Sequence, residues 1–151
     1  MGGSAERASI SIDAPIDVVW AVFTDVEQWP TWTDSVRSVE LIDGPMGVGA
    51  RARIRQPRLP AVVWTVTEFD PGHSWTWVAS SPGARTSARH VLSAVGDATL
   101  AEQSIEPSGP LGRVAARLWR SLTKRYLAME AGGLKRRSEQ LAAQAPTRPT
   151  P

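Results

Sequence analysis

Cysteine is absent, histidine occurs only twice (His73 and His90) and tyrosine once, as Tyr126. Without cysteine there is no disulfide framework and no thiolate nucleophile, and the expected compartment is the cytoplasm. Two imidazoles and no thiols make a zinc site improbable, so no metal and no cofactor are expected. No stretch of 18 apolar residues occurs, so no stable membrane insertion is expected. Met1-Gly2-Gly3-Ser4 lacks the basic start and apolar run of a signal peptide. The nucleophile elbow Gly-x-Ser-x-Gly, the phosphate-cradling loop with its Lys and the His-Glu-x-x-His helix are all missing.

Tryptophan, by contrast, is plentiful, with seven in 151 residues. Charge is also unevenly placed. Residues 1–109 carry 8 Arg/Lys against 13 Asp/Glu, and residues 110–151 carry 9 against 2, so a net −5 precedes a net +7. The simple reading of the basic segment is a solvated helix face. The sharper reading is attraction to an acidic partner, a nucleic acid or a membrane surface. Aromatics do not interleave with these cations as on a stacking platform, so nucleic acid is not expected as a partner.

The basic segment itself is predicted to be a long helix, roughly Gly109 to Ala143. Leu111, Ala115, Leu118, Leu122, Tyr126 and Met129 recur at spacings of three and four, one apolar helical face. Arg113, Arg117, Arg120, Lys124 and Lys135 fall opposite. Ser108 is a candidate cap and Pro110 suits the first turn. Gly132-Gly133 weakens the helix late, and Arg136 and Arg137 then turn toward the apolar side, so the gripped part is expected to end near Met129.

Earlier in the chain, Arg7–Asp13 alternates apolar and polar residues as a half-buried strand. Pro15 opens a short helix through Phe23, and a second runs from Asp25 to Trp29. Six strands follow, at Val36–Ile42, Ala50–Arg55, Ala61–Phe69, His73–Ala79, Arg85–Ala94 and Thr99–Glu106, separated by Gly/Pro/Asp turns. Short turns imply antiparallel neighbours. The fold class is therefore α+β: a curved antiparallel sheet of about seven strands around the C-terminal helix, with the two short helices after strand 1 plugging one end. One domain over residues 7–143 is expected, with flexible termini at 1–6 and 144–151; the Pro/Thr-rich tail from Pro146 reads as disordered.

Several strings in this order resemble a known family. Ser11 to Trp32, SIDAPIDVVWAVFTDVEQWPTW, is similar to the opening of the SRPBCC superfamily, the START-like or birch-pollen-allergen-like helix-grip proteins. VTEFDPG at Val66–Gly72, SGPLG at Ser108–Gly112 and the helix segment from Arg125 to Leu134 also fit. The bacterial polyketide cyclase/dehydrase branch is the nearest in pattern. The resemblance implies a deep apolar cavity between sheet and helix that takes lipids, sterols, polyketides or other flat hydrophobic molecules. Some members are enzymes and some carriers, with no common catalytic set to transfer.

The residues themselves suggest where such a site lies. Trp20, Trp29 and Trp32 read as corner and core packing. Trp64, Trp75 and Trp77 sit on sheet faces, where they either fill the core or wall an aromatic site. His90 alternates with Ala88 and Leu92 and should point inward, as a paired structural histidine or as an acid–base group. His73 follows a Pro-Gly turn and should face solvent. A two-residue turn at Gly96-Asp97 would set His90 opposite Gln103 and turn Gln103 inward; the other frame buries Glu102. With Leu118, Leu122 and Tyr126 from the helix, Trp64, Trp75, Trp77, Ala88, His90 and Leu92 form the expected ligand site. In a cyclase, His90 would remove a proton beside a carbonyl, and Gln103 or Tyr126 would hold the enolate oxygen. The leading function is binding of a small hydrophobic molecule. A cyclase/dehydratase using the same cavity, or a protein-interaction module using the basic helix, are the alternatives. The oligomeric state is left open.

Overall fold

The computed structural model describes residues 5–144. The tail from Pro146 and the first four residues, expected to be flexible, lie outside the described residues. Glu6, also expected in the flexible terminus, instead opens β1, and Gln144 closes the last helix.

The elements run β1 (Glu6–Ile12), α1 (Ile16–Thr24), a 3₁₀ helix (Val26–Thr31), β2 (Ser38–Leu41), β3 (Arg51–Arg55), β4 (Val62–Asp70), β5 (Ser74–Ser81), β6 (Ala84–Val95), β7 (Ala98–Ser108), α2 (Pro110–Leu118) and α3 (Arg120–Gln144). The seven strands form one antiparallel sheet in the order β1-β7-β6-β5-β4-β3-β2. This is the α+β helix-grip fold expected from the alternation of strands and turns. Consecutive strands pair because their connections are short; β1 reaches β7 only after the chain has gone once around the sheet.

Side-chain parity gives the sheet an inner face. In β3, Ala52 and Ile54 are buried while Arg51, Arg53 and Arg55 are exposed. Arg51 closes on Asp43 at 2.5 Å and Arg53 on Glu40 at 3.4 Å, pairs whose exposure leaves them worth little to stability. In β4 the register shifts between Val66 and Glu68, a bulge that keeps both Val66 and Phe69 facing in, opposite Trp77 and Trp75. Val95 pairs with Ala98 and His90 with Gln103, so the frame that turns Gln103 inward is the one adopted.

The C-terminal helix differs from the sequence expectation in three ways. It is broken at Trp119 (φ −109°, ψ 17°) into α2 and α3 rather than continuous. Its start has no side-chain cap: Gly109 at φ +82° precedes Pro110, and Ser108 Oγ donates to the Arg85 carbonyl at 3.2 Å. Most consequentially, the gripped part begins where it was expected to end. Leu111 and Leu118 are exposed, whereas Tyr126, Leu127, Glu130, Gly133, Leu134 and Ser138 are buried. The break interrupts the periodicity, so a stripe counted through residue 119 leaves the core-facing side.

Past the break, α3 runs about 37 Å at 1.5 Å per residue and lies against β1 and α1. Lys135, expected on the far side, donates to the Ser11 carbonyl at 3.0 Å and so covers the open edge of β1. Gly133 lets the helix approach Trp32: a Cβ there would overlap the Trp32 carbonyl and lie 2.9 Å from its ring. The plug is equally tight. Trp29 Nε1 donates to the Phe23 carbonyl at 2.9 Å, and the fully buried Thr99 hydroxyl donates to the Ala14 carbonyl at 2.8 Å. Thr99→Val, which leaves that carbonyl unpaired, should cost about 1–3 kcal/mol in chemical unfolding. Among the described residues no helix is long and apolar enough to cross a membrane.

Candidate functional site

Pairing across the sheet places Trp75, His90 and Gln103 in one row, and Trp77, Ala88 and Ile105 in the next. Helix α3 crosses above them with Leu127 and Glu130, and the 3₁₀ helix brings Trp29. Between these lies a cavity of about 50 Å³, partly open to solvent at its rim. It has room for a few water molecules, not the deep cavity implied by the resemblance. Trp29, Trp64 and Trp77 form its aromatic wall, with Ile54 and Val36 below. Trp64 is half-buried and stands at 6.0 Å from Trp77, ring centre to ring centre.

The polar pole is a hydrogen-bonded chain. Gln103 Nε2 donates to Glu130 Oε2 at 3.3 Å, and the Ser35 hydroxyl donates to Oε1 at 3.4 Å. Ser35 and Thr33 hydroxyls lie 2.7 Å apart behind it. Gln103 Oε1 is buried with no partner among the described residues. Burial pushes the Glu130 carboxyl up to about 7, against the two donated hydrogen bonds, which favour the charged form. Glu130 is thus poised to hold or release a proton near neutral pH.

His90 takes the opposite course. Its ring stacks on Trp75 at 4.0 Å, nearly parallel, and meets Phe23 edge-on. Nδ1 lies 3.3 Å from the Trp75 carbonyl. A carbonyl only accepts, so the proton of the neutral ring is assigned to Nδ1 and Nε2 is an acceptor. Burial pushes the pKa down to about 3, with the Trp75 carbonyl opposing. His90 is therefore neutral at physiological pH and a poor base, in line with the paired structural histidine of the two readings rather than the acid–base one.

The other expected site residues divide. Trp64, Trp77, Ala88, His90 and Gln103 line the cavity. Trp75 and Leu92 belong to the solid core behind it and do not line it. Leu118 points to solvent, 73% exposed, because the break at Trp119 turns it outward. Leu122 is half-buried and away from the cavity. Tyr126 does not reach the cavity either: its hydroxyl donates to the Pro57 carbonyl, tying α3 to the β3–β4 loop. Trp29, expected only as packing, serves both core and wall. His73 is exposed, as expected.

Glu130 was not legible as a site residue while the stripe was drawn through Tyr126 and Met129. The available signal was its spacing: four residues after Tyr126, three after Leu127 and four before Leu134, it is a lone carboxylate on the face that is buried. A second groove, about 450 Å³, opens beside Trp32, Asp34, Arg136 and Arg137. It is walled mainly by polar groups and open to solvent, and it shares no lining residue with the cavity over Glu130.

The family described as polyketide cyclase / dehydrase and lipid transport matches residues 7–139. A Streptomyces halstedii protein named "Putative polyketide cyclase" is 33% identical over 87 residues, 58% of this chain and 69% of that protein. Norcoclaurine synthase from Thalictrum flavum superposes with a TM-score of 0.72 at 15% identity, covering 91% of this chain and 95% of that one. The Zhui aromatase/cyclase from Streptomyces sp. R1128 superposes with a TM-score of 0.71, also at 15% identity, covering 94% and 96%. At such identities the two structures are similar in fold.

Proposed function

The chain belongs to the polyketide cyclase/dehydrase and lipid transport family, and we propose that it binds a small, flat, hydrophobic molecule of polyketide-like character in the cavity under α3. The observation that carries this reading is an aromatic wall facing a buried polar pole: Trp29, Trp64 and Trp77 on one side, Gln103 and Glu130 on the other. Aromatic faces accept a planar ring system, and a few converging polar groups fix its orientation. The unpartnered Gln103 Oε1 seeks a hydroxyl, and protonated Glu130 offers a donor to a ketone. The space is small, so a ligand has to move Trp64 at the rim or release the Tyr126–Pro57 tie.

The proton state of Glu130 favours a second reading, a dehydratase or cyclase. The protonated acid delivers its proton to a departing β-hydroxyl, and the carboxylate so formed takes the α-proton. Water leaves, a carbon–carbon double bond forms, and Glu130 is protonated again. Gln103 positions the ketone or hydroxyl, and His90 acts as a fixed acceptor rather than as the base.

Calorimetric titration with the hydroxyanthraquinone emodin tests the site. One saturable site per chain is expected, weakened at least about tenfold when Ile105→Trp fills the cavity. Heat that Ile105→Trp leaves unchanged would move binding elsewhere. For the enzymatic reading, turnover of a β-hydroxyketone is expected to stop in Glu130→Gln and to survive in His90→Phe, which keeps the stack on Trp75. The reverse pattern would return the base to His90.

A further inference from the structure

Among the described residues the apolar stripe of α2 is largely uncovered, with Leu111 resting on Gly83 of the β5–β6 turn. Leu111 is 58% exposed, Val114 56%, Leu118 73% and the adjoining Trp119 45%. The helix docks on the sheet through its other side, where Gly112 is buried against Ala84 and the Leu111 and Gly112 amides donate to the Gly83 carbonyl. Positions 111, 114 and 118 share one helical stripe; Arg117 borders it beside Val114, and Arg113 lies further round on the same side. Arg120, Lys124 and Arg125 extend the cations onto α3. From Pro110 to Met129 there is no acidic residue. Glu6 meets Arg120 at 3.0 Å and Lys124 at 4.0 Å; Arg113, Arg117 and Arg125 have no ion pair among the described residues.

We propose that this surface docks the protein on an anionic lipid surface. Leu111, Val114, Leu118 and Trp119 would dip into the boundary between headgroups and acyl chains, with the Arg and Lys side chains over the lipid phosphates. An amphipathic helix with apolar side chains, a Trp and flanking cations has the chemistry of such a contact. Charge complementarity selects the lipid over a second copy: a two-fold contact through α2 would set Arg113 and Arg117 against themselves. Shape selects it over an acidic protein. The stripe is a convex ridge on one nine-residue helix; a fluid bilayer moulds around a ridge, whereas a folded partner needs a matching groove. Five cations, Arg113, Arg117, Arg120, Lys124 and Arg125, with no acidic residue among Pro110–Met129, turn this end of the molecule toward a negative surface. Docking is peripheral and independent of what the cavity binds.

Flotation of the full chain with vesicles tests this. Retention is expected on phosphatidylcholine vesicles carrying about 30 mol% phosphatidylserine and not on pure phosphatidylcholine, with release in about 0.5 M salt. Arg113→Gln with Arg117→Gln should lower partitioning about 25-fold, roughly fivefold for each cation. Leu118→Ser should lower it about tenfold. These side chains are exposed, and unchanged chemical unfolding will confirm that the variants are folded. The proposal fails if the anionic vesicles retain nothing, or if the variants partition like wild type. It also fails if Leu118→Ser disperses a concentration-dependent dimer in sedimentation, which assigns the ridge to a second copy. Capture by polyglutamate without vesicle retention overturns it in favour of an acidic protein.

Discussion

Gly133→Ala is expected to destabilise the fold by about 2–3 kcal/mol, although alanine is the better helix former by about 1 kcal/mol. The added Cβ overlaps the Trp32 carbonyl and sits 2.9 Å from its ring. The obstacle is main chain in a corner where Trp32, Thr33, Ser35 and Val36 are all buried, so it cannot swing aside. Gly132→Ala is the control. Its Cβ would meet only the far end of the Arg136 side chain at 3.3 Å, and that side chain can move. Gly132→Ala should therefore stabilise by about 0.5–1 kcal/mol. Urea unfolding of the two variants reads opposite signs from adjacent glycines. If both stabilise, α3 does not lie against Trp32.

Those glycines also show where sequence reading reached its limit. As a pair in a helix they lower its propensity, and nothing local reveals that one of them faces a carbonyl distant in sequence. The strands were legible because a period of two is preserved over whole elements: Arg51, Arg53 and Arg55 expose one face as surely as Ala52 and Ile54 bury the other. The hairpin at Gly96-Asp97 fixed the register of His90 with Gln103, and that register carried half the candidate site. The helix was harder. Its richest apolar stripe, through Leu111 and Leu118, faces solvent, while its buried face is assembled from Gly133, Ser138, Glu130 and a few large side chains. Close approach selects small residues there, so burial departs from hydropathy. The carboxyl followed the same fate: a lone acid within a basic segment, it is the group that faces the cavity.

Glu130→Gln is expected to raise stability by about 3 kcal/mol near pH 8 and to change it little near pH 4. The Glu130 carboxyl moves from its ordinary 4.5 to about 7 on folding, because burial outweighs the hydrogen bonds from Gln103 and Ser35. Between those values the folded chain holds a proton that the unfolded chain has lost, so this group's contribution falls as pH rises. Above pH 7 the whole cost is present, about 3 kcal/mol for a shift of this size. The substituted amide keeps the shape and the pairing with Gln103 without the charge. His90 runs the other way: its pKa falls from 6.5 to about 3 on folding, so its contribution grows as pH rises from 3 to 6.5 and is lost on acidification. From about 4.5 to 6.5 the two slopes oppose one another and their sum is nearly flat. Removing the carboxyl unmasks the histidine, and the variant's stability should climb through that interval while the wild type's from this pair does not. Unfolding free energies from pH 4 to 8, taken as the difference between the two proteins, isolate Glu130. A difference that does not vary with pH would mean that water reaches the carboxyl and holds it near its ordinary value. A difference that grows as expected means that the fold carries a charged group at the cavity at substantial cost above neutrality. A purely structural side chain at this position would do better as glutamine, so a cost of this size would accord with the role in binding or proton transfer proposed above.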